Sequence, residues 1–234
     1  MRLLSILLMC ISIMGCANIS TIKVSKEKIE NESLILIPTG KFNVVARADS
    51  NPVAGTGIVG ALFAVADAIQ AASHVKRMTE IIPGAVPPDE LLNFTSSVIK
   101  EKIYIVGKPK SIMLGAHSRI ADEFTDWFNP ENRSDIKLPD DKSAAYAIDY
   151  GFHGLGVVRY GSGMFVEGWL GLRLIDLKTG AVVARSRAWG VGSIGGELVR
   201  AEIGDPNLEK SVQSAIKSFV ERLGREALAK IASS

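Results

Sequence analysis

The chain has 234 residues, of which 47% are hydrophobic and 22% charged, with Lys plus Arg at 27 against Asp plus Glu at 25. That near balance lacks the basic excess of a nucleic-acid binder, and the length suffices for one large domain with a sizeable core. Two cysteines, both within the first sixteen residues, leave the rest of the chain no thiol for a disulfide or a metal site.

Met1-Arg2 precedes the apolar run from Leu3 to Met14, which ends at Gly15-Cys16. One positive charge, an apolar stretch too short to span a bilayer stably and a small residue at the end describe a signal peptide over residues 1–15. The ending Ile13-Met14-Gly15-Cys16 resembles the lipobox of bacterial lipoproteins. That resemblance implies cleavage before Cys16, lipidation of its thiol and a stable anchor of two or three acyl chains, palmitate among them. Ala17, where an Asp would mean inner-membrane retention, points by the same resemblance to the periplasmic face of the outer membrane. Residues 16–32, polar and rich in lysine, then read as a lipidated tether.

Residues 33–234 read as a single α/β domain. Ser33 to Pro38 is a short branched apolar run stopped by proline, a buried strand, with Lys41 to Ala48 as its neighbour and a turn at Asp49-Ser50-Asn51-Pro52. Gly55-Thr56-Gly57-Ile58-Val59-Gly60 matches G-x-G-x-x-G, but Asn51-Pro52 interrupts the strand that a dinucleotide site needs and no acidic residue follows at the end of a next strand. A membrane span fails on Asp67 and Gln70. The remaining reading is a glycine- and alanine-rich helix at 55–78, mostly buried, with small residues Gly57, Gly60, Ala64, Ala68 and Ala71 on one face and a polar seam of Asp67, Gln70, His74 and Arg77. Such a face admits close packing against a sheet or a second copy of the chain.

Pro83-Gly84 and Pro87-Pro88 read as a stop and a hinge, Asp89 as the cap of a helix carrying Leu91, Leu92, Val98 and Ile99, and Ile103 to Val106 as a strand. Arg119 to Phe128 reads as a short amphipathic helix and Glu131 to Lys142 as an exposed loop. Tyr150 to Gly163 is a glycine-rich strand, and residues 165–190 form a long β-hairpin turning at Asp176-Leu177-Lys178-Thr179-Gly180, with Gly180 left-handed. A loop from Gly192 to Gly204 leads to Asp205-Pro206, which opens a C-terminal amphipathic helix lined by Leu208, Val212, Ile216, Phe219, Leu223, Leu228 and Ile231. The fold class is therefore α/β (α+β), a mixed sheet flanked by helices.

Two sets of residues invite a functional reading. Ser97-Val98-Ile99-Lys100, Ser134-Asp135-Ile136 and Lys178-Thr179-Gly180 stand in the order of the S-x-x-K, S-D-N and K-T-G motifs of acyl-serine enzymes. Three further S-x-x-K matches, a missing amide residue and the turn chemistry of Lys178-Thr179-Gly180 weaken that alternative. His74, His117 and His153 are isolated, so no catalytic, cofactor or metal residue is assigned. The second set lies on the hairpin. With Leu177 and Ala181 flanking the turn, Trp169 lies opposite Trp189, Gly171 opposite Arg187 and Arg173 opposite Arg185, all on one face, while Leu170, Leu172 and Leu174 point to the core. Opposed arginines need an anion. Either a carboxylate inside the fold neutralises them, or Trp169, Arg173, Arg185, Arg187 and Trp189 form a surface for an anionic envelope partner.

The stretch Leu172-Arg173-Leu174-Ile175-Asp176-Leu177-Lys178-Thr179-Gly180-Ala181-Val182-Val183, a long strand ending in an Asp-x-x-Thr-Gly turn, together with the terminal helix, is similar to the last part of the α/β fold shared by the TolB N-terminal domain and the curli-secretion lipoproteins. That resemblance implies a non-enzymatic assembly or interaction protein, anchored to its membrane by lipid and contacting an envelope protein or a second copy of itself. The alternatives are a cell-wall acyl-serine hydrolase and an oligomeric structural lipoprotein packed through residues 57–71.

Overall fold

In the computed structural model the described residues are 21–48, 58–118, 144–160, 163–194 and 206–232, with the side chains of 58–71 left aside. Six strands and three α-helices occur among them. The strands are β1 (Ser33–Pro38), β2 (Val45–Ala48), β3 (Ser111–Leu114), β4 (Tyr146–Tyr160), β5 (Gly163–Asp176) and β6 (Ala181–Ser193). The helices are α1 (Ile58–Ala85), α2 (Pro88–Lys102) and α3 (Pro206–Ile231).

Branched apolar residues at 34–37 make β1 a strand that buries both faces, and it runs parallel to β3 on one side and to β4 on the other. The sheet order is β3-β1-β4-β5-β6, and β2 pairs with the second half of β4. That placement corrects the expectation that the 41–48 segment adjoins β1: Val45 lies against Gly156 of β4, where an added Cβ would come within 2.6 Å of the Val45 carbonyl oxygen. From β4 to β6 the sheet is antiparallel, joined by short connections.

The helices cover one face. Ile148, Tyr150, Leu170, Leu172, Leu174, Ala184 and Ala188 meet Val212, Ile216, Phe219, Leu223 and Leu228 of α3 in the main core. Each fully buried leucine contributes about 1.5–3 kcal/mol. Close approach of α3 to α2 depends on Gly224, whose absent Cβ would stand 2.7 Å from Val98 Cγ1. Within the core the Ser96 and Tyr150 hydroxyls share a 2.6 Å hydrogen bond, and burial pushes the Tyr150 phenol up to about 12. No helix among the described residues is long and apolar enough to cross a membrane.

Several local expectations change. The stretch read as tether joins the fold from Ile22 onward: Ile22 forms an antiparallel bridge with Arg185, the Val24 amide donates to Ile231 O at 2.8 Å, residues Lys26–Lys28 form a 3-10 turn and Ile29 is fully buried. Two buried apolar side chains, Val24 and Ile29, and the backbone bridge at Ile22 dock it despite its lysine-rich background. Pro83 does not stop α1, which continues to Ala85 with Ile82 and Ala85 buried and the Val86 amide bonded to Ile82 O. The N-cap of α2 is Pro87 rather than Asp89. Pro88 occupies the first turn, where a missing N–H costs nothing, and Asp89 and Glu90 complement the helix dipole. Residues Ile103–Ile105 form a 3-10 turn, not a strand: Ile103 and Val106 are buried three apart while Tyr104 between them is exposed, a helical spacing. The expected turn at 49–52, the helix at 119–128, the loop at 131–142 and the Asp205 cap lie outside the described residues, as do Cys16 and the small-residue face of α1.

Candidate functional site

The sheet's second face is organised in rows across β4, β5 and β6, set by strict alternation from the core leucines. Register places Ala147 beside Ile175, Asp149 beside Arg173 and Arg185, Gly151 beside Gly171 and Arg187, and His153 beside Trp169 and Trp189. Nearest the hairpin turn the face is apolar, with Ile35, Ala147 and Ile175 buried in a second small core. The next row is ionic and the last aromatic.

The hairpin pairs as its alternation demands from Phe165 to Leu174, with Trp169 against Trp189 and Arg173 against Arg185. Near the turn it differs by one residue. Asp176 pairs with Ala181, so Leu177 belongs to the loop, and the register shifts past Leu174 to take up the extra residue. The Gly180 amide donates to Asp176 O at 2.8 Å with Gly180 at φ 68°, and the Asp176 carboxylate accepts the Lys178 and Thr179 amides at 2.9 and 3.1 Å.

In the ionic row, Arg173 is 3% exposed and Asp149 fully buried. Arg173 Nε donates to Asp149 Oδ2 at 3.0 Å and to Oδ1 at 3.2 Å, and Nη2 adds a further bond to Oδ2. A carboxylate supplied by the adjacent strand thus pairs with Arg173, one of the two opposed arginines. Arg185 is 8% exposed, and its backbone exchanges two hydrogen bonds with Ile22, at 3.1 and 3.0 Å.

Trp169, Arg187 and Trp189 are placed differently. The paired glycines Gly151 and Gly171 leave room beside Arg187, whose guanidinium leans over the Trp169 ring with 4.5 Å between guanidinium carbon and centroid. The two indoles lie 5.9 Å apart at 45°, and Trp189 is 48% exposed. Behind this patch the outer carbonyls of edge strand β6 are occupied: Lys230 Nζ donates to Arg187 O at 3.0 Å and Arg222 Nη2 to Val191 O at 2.9 Å. Of the five residues proposed from sequence as one surface, three present side chains at its aromatic end and two are buried farther along the same face, toward the hairpin turn.

Asp149 was not singled out from sequence. Its signal is an acidic residue between Ile148 and Tyr150 in a strand buried on both faces, a position that needs a cation.

Other candidates do not converge. Ser97 Oγ donates to Asn93 O of its own helix at 2.8 Å, Lys100 is exposed on α2, and Lys178 stands in the hairpin turn. No hydrogen bond among the described residues joins these three. His117 bonds Gly40 O at 2.8 Å and His153 is exposed in the aromatic row. Burial, then the positive charges of Arg159 and Arg77, hold the His74 imidazole below its usual range. No three His, Cys, Asp or Glu side chains among the described residues are grouped to hold a metal.

No protein-family model and no curated protein matches the chain. Among solved structures, it is similar to the PelC dodecamer of Paraburkholderia phytofirmans at 11% identity and TM-score 0.37, covering 92% of this chain and 96% of that one. A Xanthomonas campestris protein of the DUF330 family matches at 10% identity and TM-score 0.39, covering 90% and 88%. Lipoprotein GNA1162 of Neisseria meningitidis matches at 12% identity and TM-score 0.24, covering 82% and 99%. Likenesses of this size do not establish a shared role.

Proposed function

We propose that this chain is a lipid-anchored envelope lipoprotein, held by Cys16 at the periplasmic face of the outer membrane, with a non-enzymatic assembly or interaction role. The anchor rests on the signal peptide and the Ile13-Met14-Gly15-Cys16 sequence. The observation that carries the interaction role is the patch of Trp169, Arg187 and Trp189: a cation stacked on one indole beside a second indole that is half exposed. Aromatic rings and arginine are the side chains enriched at recognition surfaces, and a guanidinium held over a ring presents its edge to an anion. Asp149 holds Arg173 within the fold and Arg185 is buried, so it is Arg187 that is offered to a partner.

Cys16→Ser in the producing cell tests the anchor: the protein should lose fatty-acid label and either leave the membrane fraction or keep its signal peptide. Unchanged labelling and unchanged fractionation would refute it. Arg187→Gln tests the surface, with loss of partner retention at unchanged melting temperature as the expected result; unchanged retention would refute that half of the reading.

A further inference from the structure

We infer that the partner of the Trp169, Arg187 and Trp189 patch is the headgroup layer of the membrane to which the chain is anchored, an inference that rests on the Cys16 anchor proposed above.

Ile22 is paired with β6. Its amide donates to Arg185 O at 3.1 Å and its carbonyl accepts the Arg185 amide at 3.0 Å, which fixes an antiparallel bridge on the free edge of β6. Antiparallel pairing sets the direction of the chain: it arrives at Ile22 from the side of Arg187 and Trp189 and departs toward the hairpin turn. Six peptide units separate Ile22 from Cys16, so a lipidated Cys16 lies at most about 20 Å from the β6 edge. The docked segment after Ile22, where Val24 bonds to Ile231 and Ile29 is buried, cannot pay out further length without breaking those contacts. The domain is therefore held close to the bilayer by the edge that carries the aromatic row.

The chemistry of that row fits the boundary layer. Indoles settle at headgroup depth, where the ring meets acyl chains and the N–H meets water or ester oxygens. Arg187 beside them offers paired donors to a lipid phosphate. Ile22, 37% exposed on the neighbouring edge, adds apolar surface. Two rings and one arginine would bind a membrane weakly in free solution, but a tether this short raises the effective concentration enough for a small patch to hold the domain in one orientation.

The test uses the acylated full-length protein purified from its own membrane and reconstituted into vesicles of phosphatidylethanolamine and phosphatidylglycerol carrying brominated acyl chains. Trp127→Phe leaves Trp169 and Trp189 as the fluorophores, since the chain has 3 tryptophans. Emission should be blue-shifted and quenched by about half or more by the brominated lipid, with little quenching by aqueous iodide, as for indoles at headgroup depth. Arg187→Glu should lower the quenching in phosphatidylglycerol vesicles. Acylated protein whose emission is quenched by iodide and untouched by bromine overturns this inference alone and leaves the patch to a protein partner. Absence of acyl chains on Cys16, read by mass spectrometry of the same sample, overturns the anchor and this inference together.

Discussion

Asp149→Asn removes the negative charge from the buried pair while keeping the side chain's shape. Asp149 is fully buried and the Arg173 side chain 4% exposed, so water cannot replace the lost partner. Three hydrogen bonds from Arg173 converge on this carboxylate, and Arg185 stands opposite Arg173 on β6. Breaking a buried pair by removing one partner costs about 3–5 kcal/mol. For a domain of this size about 1 kcal/mol corresponds to roughly 2–4 °C, so the melting temperature should fall by roughly 6–20 °C. Thermal melts followed by far-UV circular dichroism, with urea titration as the equilibrium check, read the change. A fall of less than about 2 °C would mean that Arg173 finds compensation elsewhere and that Asp149 is not its neutralising partner.

Tyr150 gives a pH prediction. Its folded pKa, raised to about 12, exceeds the unfolded value near 10, so the unfolded state loses the proton first. The contribution is complete below pH 10 and is lost as pH rises toward 12, about 2–3 kcal/mol in all. Urea midpoints from pH 9 to 12 should fall more steeply for the wild type than for Tyr150→Phe, and parallel slopes would refute the assignment. At Gly224, Val should overpack α3 against Val98 and cost about 1–3 kcal/mol, with Val98→Ala in the same chain restoring part of it. An unshifted urea midpoint for Gly224→Val would show that the two helices separate freely.

The hairpin was legible because its signals are local: alternation over residues 165–175 and an Asp-x-x-x-Gly turn specify register without knowledge of anything distant. The terminal helix was legible for the same reason, through its apolar stripe from Leu208 to Ile231. What sequence reading missed depends on distant partners. Ile22, Val24 and Ile29 are too sparse to suggest an element, and they dock only because β6, α3 and Gly107 are there to receive them. Pro83 reads as a break, yet the apolar residues around it remain buried and the helix goes on. The pairing of Asp149 with Arg173 joins residues 24 apart, so identifying it required placing β4 against β5 first.

That pairing also bears on the candidate surface. A two-residue slip of β4 against β5 would keep every leucine facing the helices, so the hydrophobic pattern alone does not exclude it. It would, however, move Asp149 from Arg173 to a position beside Gly171 or Ile175 and strand two buried charges. The ion pair therefore acts, on our hypothesis, as a register key that keeps His153 of β4 beside the aromatic row, four positions along each strand. Replacing both partners, Asp149→Leu with Arg173→Leu, separates this role from stability, because an apolar pair of similar volume often restores the energy of a buried salt bridge. The double variant should melt closer to the wild type than Asp149→Asn does, and should lose the nuclear Overhauser contact between His153 and Trp169, which stand opposite each other on β4 and β5. A double variant with full stability and the His153–Trp169 contact retained would show that the short β4–β5 connection and the helix contacts set the register without the ion pair.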